Sequence, residues 1–158
     1  MGFVRTRPTL PGWQLLQGDF RDFIETAALP DLIFYDPFSY KTDTELWTGE
    51  IFARIFARCS AKAELYTYSA STAVRVAMLS TGFFVAQGAG TGPKSETTIV
   101  FTKLDGAARH PLAPPLLDQN WLARWRKSAA KFPATISQDE KARFAILIEN
   151  HQQFSHAG

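Results

Sequence analysis

The chain has 158 residues, enough for one domain with its own core, and its 46% apolar and 20% charged residues are ordinary for a folded protein. A net charge of +2 is too small to announce nucleic-acid binding by itself, and a single cysteine, Cys59, excludes an internal disulfide and points to a reducing compartment. No stretch approaches the roughly 20 apolar residues of a membrane span, and Arg5, Arg7, Pro8 and Pro11 break any signal-like run, so the expectation is a soluble cytoplasmic protein.

Residues 1–12 read as a basic, irregular lead-in. Trp13 to Asp19 reads as a short strand that stops at Gly18-Asp19. Phe20, Phe23, Ile24 and Ala27 recur at spacings of three and four and predict a short amphipathic helix, with Asp19 at its cap. Leu32-Ile33-Phe34-Tyr35 is a continuous apolar run, as in a strand buried on both faces. It must end at Asp36-Pro37, because proline has no N–H to give to a ladder. Leu46, Trp47, Ile51, Ile55 and Phe56 predict a helix of about four turns, and Glu64 to Tyr68 the next strand. Ser69 or Ser71 can cap a helix containing Val74, Ala77, Met78 and Leu79, which Gly82 stops. Phe83–Ala86 and Thr97–Phe101 follow as strands, joined by a glycine-rich link from Gly88 to Pro93.

The alternation argues for an α/β fold with a mostly parallel sheet, helices on both faces and the last two strands as an antiparallel edge pair. Residues 13–104 form this domain and 105–117 a linker. Residues 118–158 form a helical tail. Its first helix, near 118–130, carries Trp121, Leu122 and Trp125. Its second, near 138–149, opens on Ser137 and Glu140 as a capping box.

Four constellations can carry chemistry. Asp36-Pro37-Phe38-Ser39-Tyr40 stands at the carboxyl end of a strand, where open α/β sheets bind ligands. A carboxylate there can hold a substrate amine and steady developing positive charge, and Phe38 offers a ring for a base. The same tripeptide also serves simply to turn the chain. Gly18-Asp19-Phe20 is either a helix cap or an acceptor for the amine of an adenine with a ring beside it. Gly88-Ala89-Gly90-Thr91-Gly92-Pro93-Lys94 lacks phosphate-loop spacing and reads as a turn, with Lys94 free to meet a phosphate or a carboxylate. Trp121 and Trp125 share a helix face and read as core, while Arg124, Arg126, Lys127 and Lys131 suit phosphates or open water. His110, His151 and His156 are scattered and Cys59 is alone, so no metal site is legible.

The run from Asp31 to Lys103 resembles the methyltransferase half of MnmC-type tRNA enzymes, the family that methylates 5-aminomethyluridine at the wobble position. The likeness rests on Asp31-Leu32-Ile33-Phe34-Tyr35-Asp36-Pro37-Phe38-Ser39, Glu45-Leu46-Trp47-Thr48, Thr67-Tyr68-Ser69-Ala70 and the Gly88–Thr98 run. The tail, with Trp121-Leu122, Trp125, Ser128–Pro133 and Asn150–Phe154, resembles the stand-alone members without a fused oxidase. The resemblance implies a Rossmann-like class I methyltransferase sheet, S-adenosylmethionine as cofactor and tRNA as partner. It implies Asp36 as the catalytic residue, with Asp19, Phe20, Asp36 and Pro37 at the cofactor. Phe38, Lys94 and Arg75 would border the substrate.

The family's domain opens with two strands, a glycine-rich turn and helices, and this sequence has no such motif before Trp13. The sheet is therefore expected to be incomplete, with an exposed edge open to a second copy or a completing second chain. A methyltransferase is one reading. The other is a non-catalytic remnant that binds RNA or a partner chain through its basic tail and that edge. Asp-Pro-Phe-Ser also resembles the Asp-Pro-Pro-Tyr motif of adenine amino methyltransferases, but the Leu46-Trp47-Thr48 context argues against it.

Overall fold

The computed structural model describes residues 12, 14–92, 94–133 and 136–155, with backbone only at Thr91 and Lys94. The lead-in before Gly12, Trp13 and His156 lie outside the described residues. One sheet has the order β1-β2-β4-β3, formed by β1 (Leu32–Phe34), β2 (Glu64–Thr67), β3 (Phe84–Thr91) and β4 (Lys94–Phe101). β1 pairs with β2 in parallel, and β4 runs antiparallel to both β2 and β3. β1, β2 and β3 thus point one way, as the strand–helix alternation predicts, and β3–β4 is the antiparallel pair at one side.

Two helices cross between the strands, α1 (Gly49–Arg58) and α2 (Thr72–Leu79). The expected four-turn helix is in fact a 3₁₀ turn, Thr44–Trp47, followed by α1. Thr48 separates them, because its hydroxyl caps α1 by accepting from the Ile51 N–H at 3.3 Å. Gly82, at φ +99°, stops the chain after α2 in a conformation other residues rarely adopt.

Apolar residues of α1 and α2 meet Tyr35, Leu65, Val85 and Val100 from the inner face of the sheet to form the main core. The tail joins it through α4 (Gln119–Lys127) and α5 (Gln138–Glu149), which bring Trp121, Trp125 and Ile148. Trp121 and Trp125 are buried, so they pack rather than stack on a base. α5 opens with the expected Ser137–Glu140 capping box, both reciprocal bonds being formed.

The outer face is covered only in part. The four-residue α3 (Gly106–Arg109) and the chain after it shelter Phe84, Ala86, Ile99 and Phe101. Residues 115–117 then run beside β3: the Gln87 N–H donates to the Pro115 carbonyl and the Leu117 N–H to that of Val85, each at 2.9 Å. The short helix α6 (Gln152–Ser155) pushes the buried amide of Gln153 into the same edge. Its Oε1 accepts from the Val85 N–H at 2.7 Å, and its Nε2 donates to the carbonyls of Val85 at 2.9 Å and Leu117 at 2.8 Å.

Four sequence expectations change. β1 is not buried on both faces: Leu32 is 54% exposed and Phe34 73%, with the Tyr66 ring 5.6 Å away as Phe34's ring neighbour. The cover on the outer face reaches β3 and β4 and stops short of β1. Residues 14–18 form no strand of this sheet, so the outer edge of β1 has no strand beside it among the described residues. The helix expected over 20–27 shrinks to a 3₁₀ turn, Phe20–Asp22, with Ile24 buried behind it. The glycine-rich link is mostly strand: Gly88 to Thr91 continue β3, and the reversal comes at Gly92 with φ +57°. No helix among the described residues is long and apolar enough to cross a membrane.

Candidate functional site

Asp36 is the first residue beyond the ladder. The Tyr35 N–H still donates to the Tyr66 carbonyl at 2.8 Å, and the chain then leaves the sheet at Asp36-Pro37. Tyr68, one residue past β2, meets it there: its N–H donates to Asp36 Oδ1 and its hydroxyl to the Pro37 carbonyl, both at 3.2 Å. Asp36 Oδ2 has no hydrogen-bond partner among the described residues. Burial, followed by the charges of Asp36 and Asp43, pushes the Tyr68 phenol above its ordinary range.

The loop from Asp36 to Asp43 is pinned from below. Trp47 Nε1 donates to the Phe38 carbonyl at 3.0 Å, and the N–H groups of Thr42 and Asp43 both donate to the Ser39 carbonyl, at 2.7 and 3.0 Å. Under the loop, the Tyr35 hydroxyl donates to the Leu46 carbonyl. With its backbone held, Phe38 presents a ring that is 76% exposed, so an aromatic surface stands on a fixed base.

A cleft opens on each side of this loop. One, of about 640 Å³, is lined by Gly18–Arg21 and Thr42–Leu46. The other, of about 500 Å³, is lined by Ser39–Lys41, Tyr68–Ser71, Ser95 and Glu96. Both sizes suit a small-molecule or nucleotide-sized group. Phe20 borders the first and packs edge-on against Tyr35 at 5.8 Å, which places it next to the start of the Asp36 loop.

Asp19 is the cap the sequence suggested: Oδ1 accepts from the Arg21 N–H at 2.9 Å. Arg21 also folds back on the carboxylate, Nε lying 3.0 and 3.1 Å from its two oxygens, and reaches Glu45 at 2.7 Å. The Arg21 side chain, and then its backbone N–H, hold the Asp19 carboxyl down at about 2, against an ordinary 3.8. The folded pKa lies below the unfolded one. The carboxylate's contribution to stability is therefore complete above 3.8 and is lost as the pH falls through about 2. An NMR titration of the Asp19 side chain should find its midpoint near 2, and Arg21→Ala should return it toward 3.8.

The remaining expected site residues divide. Lys94 starts β4, immediately before the cleft-lining Ser95 and Glu96. Arg75, expected at the substrate, is only 3% exposed and faces β4 instead. Its guanidinium donates to Thr98 Oγ1 at 3.0 Å, the Thr97 carbonyl at 2.9 Å and Glu96 Oε1 at 3.2 Å. It holds Glu96 at the cleft wall. Tyr68 and Glu96 were missed by sequence reasoning. Tyr68 follows a strand end, the rule that selects Asp36, while nothing local marks Glu96.

Residues 8–102 match the family described as S-adenosyl-L-methionine-dependent methyltransferase. The chain is 31% identical over 111 residues to the tRNA 5-methylaminomethyl-2-thiouridine biosynthesis bifunctional protein MnmC of Cupriavidus necator, spanning 70% of this chain and 17% of that protein. It is 30% identical over 88 residues to an uncharacterized protein of Methanocaldococcus jannaschii, spanning 55% of this chain and 25% of that one. The crystal structure of MnmC2 from Aquifex aeolicus superposes with a TM-score of 0.60 at 28% identity, over 84% of this chain and 41% of that one. The chain thus spans a quarter or less of these curated relatives and under half of the solved one. The Rossmann-like class I sheet, the loop at its carboxyl edge and a match over more than half its length place the chain in the family of S-adenosyl-L-methionine-dependent methyltransferases, with S-adenosylmethionine as the cofactor.

Proposed function

We propose that the chain serves methyl transfer to an amine on tRNA, the aminomethyl group of a wobble uridine, with Asp36 at the reacting nitrogen. The observation that carries this is the Asp36 carboxylate. It is held at Oδ1 by the Tyr68 N–H, open at Oδ2, and its loop has a cleft on either side. The name of the Cupriavidus necator relative supports the substrate class.

The cleft beside Phe20 suits the cofactor. It is large enough for a nucleoside, it carries an exposed aromatic ring, and Asp19 stays ionised as an acceptor for an adenine amine. Phe20 and Asp19 hold the adenine side, and Asp36 and Pro37 the methyl end. Bound there, S-adenosylmethionine supplies an electrophilic methyl group.

In the second cleft, Asp36 Oδ2 accepts a hydrogen bond from the substrate amine and orients its lone pair. An ammonium cannot attack, so Oδ2 also takes the proton the nitrogen must lose. The exposed Phe38 ring stacks on the base, and Lys94, at the start of β4, borders the nucleotide.

A second reading rests on the outer edge of β1, which has no strand beside it among the described residues: a binding module that a second copy or another chain completes. Calorimetric titration with S-adenosylmethionine separates the two. Micromolar binding with label transfer to tRNA supports the methyltransferase. Absent or millimolar binding refutes catalysis by this chain alone and supports the module.

A further inference from the structure

Some cations of this chain are held by carboxylates and others are not. Arg21, Arg54, Arg75, Arg109 and Arg126 are each in an ion pair. Lys41, Arg124, Lys131 and Lys141 have no carboxylate within 4.0 Å among the described residues. Of these four, Arg124, Lys131 and Lys141 belong to the tail. Lys131 and Lys141 line a groove of about 690 Å³ formed by Tyr40, Ser71–Ala73 and Ser128–Pro133. No acidic residue lines it. Tyr40 and Ser71 also line the cleft beside the Asp36 loop, where Lys41 lies, so groove and cleft adjoin. Arg124 sits close enough to Arg75, behind the cleft wall, for its charge to be felt there. The apolar part of the groove is Ala129, Ala130, Phe132 and Pro133.

We infer that this groove is the track for a single-stranded RNA segment flanking the target nucleotide, with Lys131 and Lys141 on its phosphates and Lys41 at the passage into the cleft. The inference rests on the methyl-transfer reading for the nucleotide in the cleft, and it adds where the rest of the strand lies. Cations without a carboxylate partner on a groove without acids fit a polyanion, Lys131 standing over the Trp125 ring at 5.8 Å, and the apolar wall fits sugar and base surface. A second basic hollow, of about 190 Å³ around Lys62 and Lys103, lies at the opposite end of β2, away from Asp36.

The test is fluorescence anisotropy of the full chain with a labelled anticodon stem–loop RNA over a range of salt. Lys131→Gln with Lys141→Gln should weaken binding about tenfold at low salt and lower the slope of log affinity against log salt by about 1.4, the value for two single-strand phosphate contacts. Lys62→Gln with Lys103→Gln carries the same charge change and should stay within about twofold. Melting curves confirm that both variants fold. Equal losses in the two pairs, no loss in the groove pair, or no RNA binding by the wild type would each overturn the inference. So would polyglutamate binding as tightly through the same lysines, which would assign the groove to an acidic protein segment. Label transfer to the free aminomethyluridine nucleoside reports the methyl-transfer reading separately, whichever way the RNA result falls.

Discussion

Asp36→Asn is expected to cut methyl transfer by about 10²–10⁴-fold while leaving the fold intact, the range for losing a positioned proton acceptor. The amide oxygen of asparagine still accepts the Tyr68 N–H that Asp36 Oδ1 accepts at 3.2 Å. It cannot take a proton or offset positive charge on the nitrogen. Asp36→Ala loses the same activity and also leaves that N–H without its acceptor, at a cost of about 1 kcal/mol. The pair is checked by label transfer from S-adenosylmethionine beside urea unfolding. An Asn variant within about threefold of wild-type turnover would show that the carboxylate is only a strand stop, since a lost general base costs far more.

Trp47→Ala should destabilise the chain by about 3–5 kcal/mol, the range for deleting a fully buried aromatic side chain. Trp47 has no exposure and packs edge-on against Tyr35 at 5.3 Å, Tyr68 at 6.1 Å and Phe52 at 6.4 Å. Two of these neighbours brace Asp36, one from each strand. The indole N–H also holds the Phe38 carbonyl. Trp47→Phe keeps most of the ring contacts and loses that bond, so about 1 kcal/mol is expected for the hydrogen bond, with a larger share of the loss falling on activity. Urea midpoints measure both variants. An unchanged unfolding slope attributes the shift to the native state.

Signals within a few residues were legible in the sequence. Ser137 with Glu140, Asp19 before Phe20, and the Asp36-Pro37 strand stop all act locally, and each stands where the sequence places it. What depended on distant neighbours was not legible. Leu32-Ile33-Phe34 has the composition of a doubly covered strand, but cover is supplied by other elements, and here it reaches β3, β4 and Tyr66 of β2 and leaves Leu32 and Phe34 exposed. Gly88–Thr91 looks like a loop because glycine is a weak strand former, yet pairing with β4 keeps it extended. Arg75 looks like a ligand-binding cation until its burial and its partners, 21 to 23 positions away, engage all three of its nitrogens. The same applies to the cleft: Asp36, and by the same strand-end rule Tyr68, could be selected from sequence, whereas Glu96 needed the register of β4 to be known.

The Gln153 amide that closes the β3 edge has a consequence for how the chain is made. Its partner Val85 is 68 positions earlier and Leu117 is 36. Contacts of such separation form late and slowly, because a long loop must close before they yield any stabilisation. During synthesis, β3 and β4 can pair as a local hairpin soon after they emerge. Val85 then waits with its outward N–H bare until Gln153 has left the ribosome, although the Leu117 N–H reaches its carbonyl earlier. In that interval the β3 edge is only partly closed, which is when capture by a chaperone, or mispairing with a neighbouring chain, is favoured.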